Sequence, residues 1–334
     1  MMKQILEEEL KVIIKPFVYA LSTILIFFAL FGNAQSKNNN WPHQKPITVV
    51  VPYTPGGATD TVTRIVMEKL SQRLGQNIVI DNKPGANATI GTGQLARSDA
   101  DGYHFATVIA AHSVNPHLYE LPYSDSDFET VTQMAELPMF LFVSNKLPVN
   151  SVAELVDYGK KHRLNFGSSG TGSSAHMIGL HFADENNLEM THIPYRGSAP
   201  ILSDLLAGRV SLVFDPILVP MPYVKEGRLK ALALSAKSKW PDEPTIPLMT
   251  ELGYEDFDLS SWVALLAPKN TPKTIVEKIA SEIAIILQDE EVIKKFTQAG
   301  FIPKASSPEE LSKLIATDSA MYKKIIDKNQ IKKQ

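Results

Sequence analysis

Ile47-Thr-Val-Val-Val-Pro-Tyr-Thr-Pro-Gly-Gly-Ala-Thr-Asp-Thr-Val62 decides the fold class. Its near-continuous apolar start reads as a strand buried on both faces. The run breaks at Pro55-Gly56-Gly57, after which Val62, Ile65, Val66, Leu70 and Leu74 fall on one face of a helix. The first N–H groups of that helix lack intrahelical acceptors and sit at the positive end of its dipole. Such a terminus can hold an anion without a lysine or arginine nearby. Many α/β folds place a glycine turn after the first strand, so this stretch alone leaves the function open.

The pattern repeats downstream. Ile78–Asp81 and His104–Ile109 read as the next strands, with Pro84-Gly85-Ala86-Asn87-Ala88 leading into a helix around Ile90–Arg97. This βαβαβ rhythm predicts a parallel sheet flanked by helices. Met139–Val143 is a fourth strand, and Ser151-Val-Ala-Glu154 forms a capping box for the next helix. Further strands fall at Leu164–Gly167, Thr191–Pro194, Ser211–Phe214, Leu229–Leu234 and Ser261–Ala267. Helices are expected over Ala175–Ala183, Ile201–Leu206, from Lys273 through Ile286, over Glu290–Gln298 and over Pro308–Lys324. His112 and His117 flank Asn115-Pro116 and are expected to shape a turn.

At the N-terminus, Lys11 and Lys15 precede an uncharged apolar stretch from Phe17 to Phe31, then Gly32-Asn33-Ala34. Residues 1–34 thus read as a signal peptide cleaved near Ala34, although Glu7, Glu8 and Glu9 are unusual in a basic leader. A retained membrane anchor is the alternative, and the run is short for one. About 300 residues remain beyond Ala34, enough for two domains with cores of their own. The chain has no cysteine, which excludes a disulfide framework, a thiolate metal site, a cysteine nucleophile and a lipid-modified cysteine. With 33 basic and 36 acidic side chains, the net charge of −3 gives no footprint for nucleic acid.

Four glycine-containing loops precede helices: Pro55–Asp60, Pro84–Asn87, Ser168–Ser174 and Tyr195–Ala199. In open α/β sheets such loops lie at the carboxyl ends of strands, where ligands bind. Gly167-Ser-Ser-Gly-Thr-Gly-Ser-Ser-Ala-His176 holds the parts of a serine hydrolase but has no Gly-x-Ser-x-Gly elbow. Polar capping and ligand hydrogen bonding are the plainer readings. A Walker loop is excluded by the missing Gly-Lys-Ser/Thr ending, and His176 and His181 lack the spacing of His-Glu-x-x-His. Asp215, at a strand end, either accepts a ligand hydrogen bond or caps the next helix. Arg196 either pairs with a ligand carboxylate or lies in an exposed turn.

Taken in order, Val51-Pro-Tyr-Thr-Pro-Gly-Gly-Ala-Thr-Asp60, Asp81-Asn-Lys-Pro-Gly-Ala86, Ala100-Asp-Gly-Tyr103, Asn115-Pro116, Phe166-Gly-Ser-Ser-Gly-Thr-Gly-Ser173, Ile193-Pro-Tyr-Arg-Gly-Ser-Ala-Pro200, Asp204-Leu-Leu-Ala-Gly208 and Phe214-Asp215 resemble one family. They resemble the substrate-binding proteins of tripartite tricarboxylate transporters, the Bug or TctC receptors, over essentially the whole mature chain. The resemblance implies an α/β, two-lobed periplasmic binding protein fold of type II-like form. Each lobe is then a sheet flanked by helices, joined by a hinge of two crossing strands near Met139–Val143 and Asp258–Leu266. The lobes are expected at 41–140 with 262–334, and at 141–261.

It also implies a small carboxylated solute gripped largely by backbone groups and ordered water. The ligand-binding candidates carried over are Tyr53, Thr54, Gly57, Ala58 and Asp60 in the first loop, and Ser169, Gly170, Thr171, Ser174 and His176 in the opposing one. Ala111, Tyr195 and Asp215 complete the set. Tyr53, Thr54, Ala110-Ala111-His112 and Pro216 depart from the usual family residues, which points to an atypical solute. The expectation is a periplasmic, monomeric receptor delivering a carboxylate to membrane permease subunits, with no catalytic residue, cofactor, metal or nucleic acid. The alternatives are a secreted hydrolase using Ser169 or Ser173 with His176, and a solute sensor signalling to a membrane kinase.

Overall fold

β1 (Ile47–Val51), β2 (Ile78–Asn82) and β3 (His104–Ile109) lie parallel, in the register Val49 to Ile80 and Val49 to Phe105. The computed structural model to which they belong describes residues 40–255, 257 and 259–333. Residues 17–34, on which the leader rests, fall outside these, as does Asp258. Residues 40–44 are a short unit of their own, in which His43 N–H donates to Asn40 O at 2.8 Å. No helix among the described residues is long and apolar enough to cross a membrane.

The first sheet has the order β11-β4-β10-β3-β1-β2, with β4 (Phe128–Leu137), β10 (Ser261–Pro268) and β11 (Ile302–Pro303). It is mixed rather than all parallel, because β10 runs antiparallel to both β3 and β4. β4 is a strand concealed by the spacing of its large apolar residues, Phe128, Val131, Met134 and Leu137, which fall three apart rather than two. Its buried Thr132 donates to Ser306 O at 2.8 Å, and Glu136 is paired with Lys304 at 2.8 Å. Partners of this kind are what allow polar side chains inside a sheet.

The second sheet has the order β7-β6-β8-β5-β9. Its strands are β5 (Met139–Ser144), β6 (Leu164–Ser168), β7 (Met190–Pro194), β8 (Leu212–Asp215) and β9 (Leu229–Ser235). β6 is parallel to β7 and β8, while β5 is antiparallel to β8 and β9. The chain passes from the first sheet to the second at Pro138, between β4 and β5, and returns after β9 at the start of β10. This is the two-lobed α/β fold that the resemblance implied.

Helices cover both sheets: α1 (Ala58–Leu74), α2 (Thr89–Ala96), α3 (Ala111–Leu118), α4 (Val152–Gly159), α5 (Ser174–Asn186), α6 (Ser198–Ala207), α7 (Met221–Lys225), α8 (Lys273–Ile286), α9 (Glu290–Gln298) and α10 (Pro308–Lys328). The expected turn at Asn115-Pro116 is instead part of α3, which carries Pro116 in its interior. The capping box at Ser151 is half formed. Ser151 Oγ accepts from Glu154 N–H, but the Glu154 carboxylate takes the N–H of Asn150.

α10 packs against the first sheet at its start and against the second lobe at its end. Trp262 Nε1 donates to Asp318 at 2.7 Å, and Asn329 Nδ2 donates to Asp184 of α5 at 2.8 Å. Between these points Val114 and Leu118 of α3, Met177 of α5, and Tyr322, Ile325 and Ile326 of α10 form one buried apolar cluster.

Candidate functional site

The carboxyl ends of β1 and β2 in one lobe, and of β6 and β7 in the other, lead into the loops singled out above, while Ala111 follows β3 and Asp215 ends β8. α1 begins at Gly57 with no side-chain cap, so the amides of its first turn are left to the solvent or a ligand. Thr54 and Ala58 are exposed and Gly57 is half-buried. Tyr53 is half-buried, and desolvation, followed by the neighbouring Tyr123, pushes its phenol pKa up.

Asp60 is buried and turned back into its own loop. Its carboxylate accepts from Gly56 N–H (2.9 Å), Arg64 Nε (2.8 Å) and Asn82 Nδ2 (2.9 Å). Burial alone would raise its pKa, but these hydrogen bonds together hold it at about 2. Asn82 also donates to Tyr53 O at 3.0 Å. Asp60 therefore braces the first loop, and the Arg64 guanidinium is already engaged with Asp60 and Asn82. Asp60→Ala leaves these donors without their acceptor and is expected to lower stability by about 2 kcal/mol, read as an earlier urea midpoint. An unchanged midpoint would show that the bracing carries no weight.

The second loop, Gly85 to Ala88, has four successive residues with positive φ, three of them not glycine. Asn87 Nδ2 donates to Asn115 Oδ1 (2.6 Å) and Asn115 Nδ2 to Asn87 O (2.9 Å), which ties this strained turn to α3. Ala111, the buried first residue of α3, lies at the end of β3.

In the opposing lobe, Gly167 and Gly179 are glycines because no room exists for a Cβ. One at Gly167 would lie 2.7 Å from Ile201 Cγ2, and one at Gly179 would collide with the Phe166 ring. Ser173 caps α5 by accepting from His176 N–H at 3.3 Å. Ser169 is exposed, Gly170 and Thr171 half-buried, and Ser174 buried. His176 does not meet Ser169 or Ser173 through its ring; its Nδ1 accepts from Gly172 N–H at 3.2 Å. This removes the serine–histidine pairs that the hydrolase alternative requires. Ser168 Oγ does lie 2.6 Å from His192 Nε2, but Ser168 is fully buried and already bonded to Gly170.

Tyr195 donates its hydroxyl to Asp204 at 2.6 Å and its main-chain N–H to Ser168 O at 2.8 Å, so neither is left for the cleft. Arg196 is exposed. Asp215 does not cap the next helix; it is buried and accepts from Ser198 Oγ at 2.9 Å. Burial, opposed only by that hydroxyl, pushes its pKa up to about 7. Ser198, Asn82, Ser168 and His192 are thus site neighbours absent from the binding candidates, although Ser168 and Ser198 lie in the singled-out loops and Asn82 in a quoted motif. Among the described residues Asp99, Asp101 and His104 bring possible metal-binding atoms within 4.8 Å of one another. They sit at the amino end of β3, away from the loops, and Asp101 is paired with Lys45 at 2.7 Å.

The lobes touch at the cleft. A Cβ on Gly172 would lie 2.9 Å from Leu118 Cδ1 and 3.4 Å from Val114 Cγ1. Residues 62–331 match the model of the tripartite tricarboxylate transporter family receptor. The chain belongs to this receptor family. BugT of Bordetella pertussis is 31% identical over 307 residues, covering 89% of this chain and 93% of the relative. Solved relatives include Rpa4515 of R. palustris with adipate, at a TM-score of 0.76 and 32% identity, covering 88% of this chain and 100% of the other. MatC of Rhodopseudomonas palustris with bound malate follows at a TM-score of 0.71 and 28% identity, covering 85% and 99%. The receptor is thus a solute-binding protein of the periplasmic type, and its family and fold relatives are receptors rather than enzymes.

Proposed function

We propose that this receptor is exported with cleavage near Ala34 and captures a small carboxylated solute between loops 52–58 and 168–174. It then hands the solute to the membrane subunits of a tripartite tricarboxylate-type permease. The lobes that close on the solute are 41–140 with 262–334, and 141–261. The observation that carries this reading is the pair of helix starts, α1 at Gly57 and α5 at Ser173, set at strand ends of two different sheets. Two such termini offer main-chain N–H groups to an anion from both sides. Adipate and malate, the solutes named with two relatives, are dicarboxylates.

A thermal-shift panel of mono-, di- and tricarboxylic acids tests the proposal. At a hundredfold excess over Kd, a bound acid stabilises the folded form by about 2.7 kcal/mol, which raises the melting temperature by several degrees. No shift across the panel would sink the reading.

A further inference from the structure

We propose that Ser168 and His192 are positioning residues that fix which amides of loop 169–174 are offered to the solute, which deepens the reading just given. Ser168 is completely buried, at the end of β6, while His192 stands on the adjacent strand β7, opposite Phe166. The Ser168 hydroxyl has one proton and two lone pairs. Three polar partners surround it: Gly170 N–H at 3.1 Å, Gly170 O at 3.0 Å and His192 Nε2 at 2.6 Å. All three contacts are satisfied together in one way. The hydroxyl donates to Gly170 O and accepts from both Gly170 N–H and a protonated His192 Nε2.

The His192 ring stacks on His176, with centroids 3.8 Å apart and planes 24° apart, and Phe166 lies against His192 at 5.0 Å. His176 in turn accepts from Gly172 N–H through Nδ1, so its proton is on Nε2. Burial, and for His176 also its neighbour His192, keeps both rings neutral, at about 3 for His176 and about 4 for His192. The stack therefore holds the N–H groups of both Gly170 and Gly172 inward, and Ser173 N–H goes to Gly170 O at 3.2 Å. The N–H groups of Ser169, Thr171 and Ser174 have no acceptor among the described residues. Within loop 169–174 those three are the ones left for an anion, joined by Ala175 N–H in the first turn of α5. A loop in which Gly170 turned over would offer a different set and place a carbonyl where an amide is needed.

Nitrogen-15 spectra of the imidazoles, together with amide hydrogen exchange in the ligand-free full chain, test this. Both His176 and His192 are expected as neutral Nε2–H tautomers between pH 5 and pH 8, with the Gly170 and Gly172 amides protected. Ser168→Ala and His192→Phe, the second keeping the stack, are expected to speed Gly170 exchange at least tenfold. His192→Gln, which keeps a donor near the Nε2 position, is expected to stay within threefold of the parent. Either histidine as the Nδ1–H tautomer in the unsubstituted protein would overturn the proposal, as would Gly170 exchange unaffected by Ser168→Ala. Should a variant fail to fold, the tautomers and exchange rates of the parent chain still decide. These readouts need no solute, so a failure of the Ser168–His192 network is told apart from a failure of the receptor reading, which a silent thermal-shift panel reports.

Discussion

Gly172→Ala is expected to weaken solute binding by tenfold or more while leaving a folded protein. Two costs combine at this position, and they separate experimentally. Gly172 has φ of +82°, a conformation that costs an L side chain about 1–2 kcal/mol. That cost is present whether the lobes are apart or together, so it lowers the melting temperature of the free protein. The second cost is the Cβ placed 2.9 Å from Leu118 Cδ1 in the other lobe. It exists only where the lobes meet, and a ligand that closes them must work against it. Measured with the strongest acid from the thermal-shift panel, Kd should rise by at least tenfold. Adding Leu118→Val removes the colliding methyl group. It should restore much of the affinity and none of the lost melting temperature. Equal Kd values for Gly172→Ala and the parent would mean that the bound state does not bring these residues together.

Asp215→Asn is expected to stabilise the protein at pH 8 and to confer nothing at pH 4. Burial raises the folded-state pKa of this carboxyl from 3.8 to about 7. The folded form thus holds its proton over a range where the unfolded chain has already lost it. Stability from this group is complete below the unfolded pKa and declines as the pH climbs towards 7. Three pH units correspond to a loss on the order of 4 kcal/mol by pH 8. An asparagine fills the same volume, carries no charge and can still accept from Ser198 Oγ. Urea unfolding of both proteins from pH 4 to pH 8 measures the difference, which should open steadily with pH. The two histidines act in the opposite sense. His176 and His192 have folded pKa values below 6.5, so their contribution is complete above that value and is lost as the pH falls towards 4 and 3. A gap between Asp215→Asn and its parent that does not vary with pH would show that the carboxyl is not held protonated.

Much of the architecture could be read from the chain because its parallel strands are short apolar runs ending in glycine turns. Ile47–Val51 is of this kind, His104–Ile109 is such a run without the glycine, and both are strands over those residues. β4 escaped because Glu129, Thr132, Gln133 and Glu136 interrupt its apolar positions, and the partners of three of them lie far along the sequence, Asn270 for Glu129, Ser306 for Thr132 and Lys304 for Glu136. α3 escaped because Asn115-Pro116 is a turn signal, while the tie between Asn115 and Asn87 that fixes it joins two segments. The same reason governs the site. A first-turn aspartate such as Asp60 looks available to a ligand until Arg64 and Asn82 are folded against it. Ser168 and His192 are 24 residues apart and meet only through the register of two strands. Local pattern marks where a backbone turns; it does not mark which side chains are already engaged.

The placing of β10 between β3 and β4 governs the order in which this polypeptide can mature. Residues 139–235 contain every strand of the second sheet, so that sheet can be completed by a chain still growing. The first sheet has no such freedom: until residues 261–268 arrive, β3 and β4 have nothing to join them, and the earlier half of the molecule waits. Long-range pairing of this kind is slow, since the intervening loop must close before any contact compensates it. A built-in delay keeps the leading segment unlocked while the rest is synthesised, which fits the export proposed above for this receptor.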